Sequence, residues 1–178
     1  MIRRSSVLAF AAAMLVVALT SCTPPSPPPA QAVKPSPTRD PATAVRAIRA
    51  AGEGLDSAVQ VQPLRDPAID GLLAQARKAE AANNFAQAAD AANRALKLAP
   101  DAPDILQYLA EIEIGRGDWQ KAEQLANRSF TLGPKVGSLC ARNWQTVVEA
   151  RTAMNDAATA AQAKRRLAEC RVPPRLRM

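Results

Sequence analysis

Between residues 66 and 136 the apolar and small side chains recur at helical spacing, and the pattern then repeats at a fixed interval. Phe85, Ala88, Ala92, Leu98 and Pro100 return 34 residues later as Trp119, Ala122, Ala126, Leu132 and Pro134. Leu72 and Ala76 return as Leu106 and Ala110. A constant interval carrying the same side-chain sizes marks a stacked repeat architecture. Asn83-Asn84 and Gly117-Asp118 interrupt the two units midway, so each unit predicts two helices around a short turn. A looser third unit follows after four extra residues near Lys135–Ser138. A shift of 38 puts Trp144 on Leu106, Val147 on Leu109, Asn155-Asp156 on Gly117-Asp118 and Ala160 on Ala122. Ala157 stands where Trp119 stood, and Val148 replaces a small crossing residue, so the third helix pair is expected to pack at a different angle.

Upstream the pattern is weaker. Asp40 can cap a helix with Pro41 at its first position, and Val45, Ile48 and Leu55 share one face. Gly52 and Gly54 weaken that helix. Val59 to Leu64 is apolar but irregular, and Asp66-Pro67 repeats the cap-plus-proline signal ahead of a longer helix.

The 34-residue units resemble the tetratricopeptide repeat (TPR), which uses small residues where its two helices cross and a proline near its end. The expected fold class is therefore all-α: a short TPR-like right-handed superhelix of about three hairpins, two good and one divergent. Ala76 and Ala88 are small enough to let paired helices approach, and Phe85 and Trp119 fill the space where they diverge. Pro100 and Pro134 end the second helices. In that family the first helix of each pair lines a concave groove that holds a peptide or partner helix. Carried onto this chain, the groove positions are Leu73, Arg77 and Glu80, then Gln107, Tyr108, Glu111 and Ile114, then Gln145, Glu149 and Thr152. Tyr108, the sole tyrosine, is the candidate anchor.

The N-terminus has a different composition. Arg3 and Arg4 precede an uncharged, largely apolar run from Ser5 to Thr20, and the segment ends in Leu19-Thr20-Ser21-Cys22. A basic start, a short apolar core and small residues before a cut make a secretory signal. The run is short for a membrane span, which needs about 20 apolar residues. Leu19 to Cys22 resembles the lipobox of bacterial lipoproteins. In that family the chain is cut before the cysteine, and the cysteine thiol carries diacylglycerol. The resemblance implies lipidation at Cys22. Because Thr23 is not Asp, it also implies the outer membrane, facing the periplasm. Eight prolines between Pro24 and Pro41 then predict an extended tether of as much as ~60 Å. The organisation is a signal peptide over 1–21, lipidated cysteine and tether over 22–41, and a helical or irregular segment over 42–65. A TPR-like domain over 66–173 and a basic tail over 174–178 complete it.

Cys140 and Cys170 each lie 15 residues from Asn155, the turn of the third unit. An antiparallel hairpin would bring them together, and an oxidising compartment would join them. The alternative is two separately buried thiols.

Composition limits the chemistry. There is no histidine, so the usual general base and the Ser-His-Asp and Cys-His arrangements are missing. Two cysteines without histidine make half a metal-ligand set. Asp and Glu are scattered among cations along helix faces. No catalytic, metal or cofactor residues are assigned, and the chain is not expected to be an enzyme. Removing Arg3 and Arg4 takes the basic count from 23 to 21 against 16 acidic groups, too mild a balance for a nucleic-acid partner. The leading function is a lipid-anchored adaptor that binds periplasmic or outer-membrane proteins through its groove in envelope assembly. The alternative is an envelope structural protein. It would touch peptidoglycan or anionic lipid through Lys164, Arg165, Arg166, Arg171, Arg175 and Arg177.

Overall fold

The computed structural model describes residues 39–55 and 65–171. Within them lie seven α-helices and no strand: α1 Pro41–Gly52, α2 Pro67–Ala81, α3 Phe85–Leu98, α4 Pro103–Gly115, α5 Trp119–Leu132, α6 Ser138–Ala153 and α7 Ala157–Glu169. Cys22, the signal, the tether up to residue 38, Val59 to Leu64, Arg175 and Arg177 lie outside the described residues, and the end of the tether, Pro41, begins α1.

The local signals in the sequence explain most helix boundaries. Asp40 and Asp66 cap α1 and α2, each with proline in the first turn. Asn84, Asp118 and Asp156 cap α3, α5 and α7 by accepting from the backbone N–H three residues on. The turns inside the hairpins pass through positive φ at Asn83, Gly117 and Asn155, residue types that tolerate it.

Pairs α2/α3, α4/α5 and α6/α7 form the hairpins, and α3 on α4 and α5 on α6 stack them. The fold is TPR-like and all-α. Alanine makes the crossings. Ala76, Ala88 and Ala92 are fully buried together with Leu109 and Ile112, and Ala110 and Ala126 meet Val147, Val148 and Ala163. Phe85 lies so close to α4 that a Cβ on Gly115 would fall 2.5 Å from its ring. The central helix α4 is enclosed on all sides: Ile105, Leu106, Leu109, Ala110, Ile112 and Ile114 are all buried.

The third unit holds together by other means, since Ala157 provides no aromatic. Trp144 packs edge-on against Phe130, with ring centroids 5.0 Å apart, and the Arg166 guanidinium also lies over the Trp144 ring. Cys140 and Cys170 are joined by a disulfide, with Cα atoms 5.6 Å apart, and the Gly137 N–H donates to the Cys170 carbonyl at 2.7 Å. The two ends of the α6/α7 hairpin are thereby closed on each other.

Closing a loop of 30 residues restricts the unfolded chain by about 3–4 kcal/mol in the chain-entropy account. Cys140→Ser with Cys170→Ser should therefore lower unfolding free energy by about that amount. Denaturant titration would measure it, and α7 should lose amide protection first. The caps supply a pH dependence. Bonds from Thr43 hold the Asp40 carboxyl below its ordinary value, and bonds from Thr159 do the same for Asp156. A depressed native pKa contributes stability that is fully present above the unfolded value and is lost as pH falls through the folded one. Stability should thus be flat above about pH 5 and decline through and below about pH 4. Asp156→Asn, which keeps a capping side chain, should flatten its share of that decline.

Candidate functional site

The inner face of the stack is built from α2, α4 and α6, as the repeat pattern requires, but it is not an open trough. Helix α1 lies in it, against α4 and α6. Its apolar stripe, Ala44, Val45 and Ile48, is buried with Ile114 of α4, Ala122 of α5 and Ala150 of α6, and Trp119 packs beside them. At the end of α1, Gly52 reaches Ser138 and Arg142 of α6.

Charge fixes the register of α1. Glu111 is completely buried on α4, and its carboxylate lies between two arginines. Arg49 of α1 donates from Nε to Glu111 Oε2 at 3.0 Å, and Arg142 of α6 donates from Nε to Oε1 at 2.8 Å. Gln107 adds a bond to Glu111 Oε1 at 3.0 Å and another to Thr146 Oγ1 at 2.9 Å. Arg49 also reaches Glu80 of α2. At the other end of α1, Arg39 grips the nearly buried Glu149, with Nη2 to Oε1 at 3.0 Å, and Gln145 donates to the same carboxylate at 2.7 Å. A buried carboxylate is tolerated only when it is paired and hydrogen-bonded, and Glu111 and Glu149 meet that condition through α6 together with α1 and its leading Arg39.

The groove residues read from the sequence are therefore placed as follows. Gln107, Glu111, Ile114 and Glu149 do line the inner face, and all four are buried with the face covered by α1. Tyr108 is half-buried and donates from its hydroxyl to Glu80 Oε2 at 2.9 Å. Burial first, then the Glu80 charge, raises the Tyr108 pKa well above its ordinary value, so the phenol stays a neutral donor. Gln145 is partly exposed and bound to Glu149. Leu73 is not a groove residue; it sits in the core with Ile69, Leu72, Ala95 and Ile105. Arg77 is exposed, and Thr152 spends its hydroxyl on the Val148 carbonyl. The expectation of an exposed trough fails because the 42–65 segment supplies a basic helix of matching shape. The arginines of α1 and the glutamates of α2, α4 and α6 carried that signal in the sequence.

Among the described residues no group of three metal-ligating side chains occurs. The buried carboxylates are committed to cations. Glu123 takes Arg151 at 2.8 Å, and Glu113 takes Lys121 at 2.7 Å.

A family profile described as tetratricopeptide repeat matches residues 79–139, from the end of α2 to the start of α6. That part of the chain is similar to tetratricopeptide repeats. A solved structure, the globular C-terminal domain of P. aeruginosa LpoP, is similar to it with 28% sequence identity and a TM-score of 0.56. The match covers 59% of this chain and 99% of that one. No curated protein matches the sequence. The TPR match spans α3, α4 and α5 with the last residues of α2 and the first of α6, and it leaves α1, α7 and most of α2 and α6 outside.

The Glu111 cluster gives a sharp test. Arg49→Ala alone or Arg142→Ala alone leaves Glu111 with one arginine, and each should cost about 1–2 kcal/mol. The double substitution leaves a buried carboxylate without a cation and should cost about 3–5 kcal/mol, exceeding the sum of the singles. A double-mutant cycle by denaturant unfolding measures the difference. Trp119 fluorescence reports the release of α1.

Proposed function

We propose that this chain is a lipid-anchored adaptor of the bacterial envelope, held at Cys22 and presenting a TPR domain to other proteins on the periplasmic face of the outer membrane. The observation that carries the reading is the resemblance, at 28% identity over 59% of this chain, to the globular C-terminal domain of LpoP. In this chain the matched part follows an N-terminal segment with a lipobox-like Leu19-Thr20-Ser21-Cys22 and a proline-rich stretch. A helical-repeat stack is a binding scaffold, which supports protein–protein interaction as its work. The role is non-catalytic, since the carboxylates of the inner face serve structure.

Helix α1 changes where the partner touches. With Ala44, Val45 and Ile48 seated in the trough, a partner meets the outer surface of the stack and its ends. Two acyl chains or more give stable anchoring where one would be marginal. The tether then sets how far from the bilayer the domain works.

Labelled palmitate should enter the wild-type chain and not Cys22→Ala, and the variant should leave the membrane fraction. Crosslinking in intact cells should capture a protein bound to the TPR domain. Capture of only glycan or lipid, weakened strongly by salt and by loss of Lys164, Arg165 and Arg171, would replace the adaptor by the structural reading.

A further inference from the structure

Unit one has no predecessor among the described residues, and the face on which one would pack is an open groove. It runs between the first half of α2 and the last turn of α3, with a volume of about 600 Å³. Ala68, Gly71, Leu72 and Leu98 line it, and Arg94 and Lys97 form its α3 side.

The repeat register says what shape of object such a groove receives. Gly71 and Gln75 of α2 correspond to Ile105 and Leu109 of α4, 34 positions on. Ile105 and Leu109 are buried beneath Ala88, Ala92 and Ala95, the inner stripe of α3. The groove on unit one is therefore a seat for a helix lying as α3 lies on unit two.

Gly71 supports the same conclusion independently. Glycine inside an exposed helix is less stable than alanine there. The other glycines within helices are accounted for by neighbours: a Cβ on Gly52 would meet Ser138 Oγ at 2.8 Å, and one on Gly115 would meet Phe85 at 2.5 Å. A Cβ on Gly71 would meet nothing within 4 Å. What glycine permits at that point is the close approach of a backbone from outside the described residues.

Charge selects the occupant. Arg94 and Lys97 make no ion pair among the described residues. The nearby carboxylates Asp70 and Asp101 face Arg65 and Arg128 instead. A second copy offering the same face would bring like charges together.

We propose that the α2/α3 groove docks one amphipathic helix of a partner protein. That helix seats small or aliphatic side chains over Gly71 and Leu72 and sets carboxylates against Arg94 and Lys97. The proposal rests on the adaptor reading and names its surface. It is the helix-in-groove mode, with anchors at i, i+3, i+4 and i+7, placed on the end of the stack rather than in its trough.

The probe is a synthetic helical peptide with leucine at those anchor positions and glutamate on both flanks, titrated against the full-length chain in detergent micelles. A photoreactive residue replaces Gln75, or the exposed Gln162 of α7 as a control. Saturable binding with crosslinking from position 75 and none from 162 is expected. Gly71→Trp should weaken binding about tenfold or more. Circular dichroism should show the fold intact, because space is open there. Arg94→Glu with Lys97→Glu should transfer preference to the same peptide carrying lysine flanks, which a merely structural role would not do.

Binding indifferent to both variants overturns the proposal. So do crosslinks from position 75 that run only to detergent, to a second copy or to residues 56–64 of the same chain. The same photoreactive chains in cells separate the two readings. Silence at position 75 with capture of a protein from another face removes this seat and leaves the adaptor standing. Capture from no face removes the adaptor itself. Crosslinks from position 75 to an acidic amphipathic helix of another protein, abolished by the Arg94/Lys97 charge reversal, support both.

Discussion

Alanine at the helix crossings is the constraint on which the rest of this structure depends. Ala76, Ala88, Ala92, Ala110, Ala122 and Ala126 are all fully buried, and each lets two helix backbones come close enough for the next layer to fit. Interiors pack at near-crystalline density, so one extra methylene at such a point would be felt along the stack. Larger side chains are confined to where the helices diverge, as at Phe85 and Trp119. The third unit shows the cost of departing from the scheme. Val148 enlarges the side chain at its crossing and Ala157 leaves its turn without an aromatic, and the chain offsets both with Trp144 packed on Phe130 and with the Cys140–Cys170 bond.

The stack alone would leave a concave face bearing Glu80, Glu111 and Glu149. Two of these carboxylates are buried in the structure, and burying a carboxylate without a partner is far more costly than any packing gain nearby could repay. Helix α1 resolves this by bringing Arg39 and Arg49 on either side of a small apolar stripe, while Arg142 meets Glu111 from α6. Apolar contact and charge pairing thus have separate tasks. Ala44, Val45 and Ile48 supply the attraction, and the arginines fix which way and how far along the trough the helix lies. Ion pairs with one buried member are better suited to specifying geometry than to adding net stability.

The parts of this arrangement that follow periodicity were legible from residues alone. The hairpins of α2/α3 and α4/α5 follow from the 34-residue recurrence, and the starts of α1, α2, α3, α5 and α7 follow from Asp or Asn caps. The meeting of Cys140 and Cys170 follows from their equal distance to Asn155. What did not follow was the destination of α1. A helix with a three-residue apolar stripe has several faces it could cover, and the repeat pattern carries no information about an element outside it. Leu73 was misplaced for a related reason. Its position is on the first helix of a pair, as the groove requires, but the side chain is buried with Ala95 and Ile105. Charge pairing across 62 residues, as between Arg49 and Glu111, shows in the sequence only as opposite charges on separate helices, without saying which pair meets.

The two ends of the stack are finished by unlike means, and the difference bears on function. A repeat array needs a terminal face that water accepts. At the C-terminal end α7 presents Lys164 and Arg165 to solvent, and a covalent bond pins the helix down. At the N-terminal end the positions equivalent to Ile105 and Leu109 have lost their bulk, becoming Gly71 and Gln75. Charged residues have not taken the middle of that face; Arg94 and Lys97 flank it. A face meant only to meet water would gain most from charges across its centre, where helix-forming Lys or Glu costs less than glycine. Small residues at the centre and cations at the edge instead suit the geometry of a helix seat.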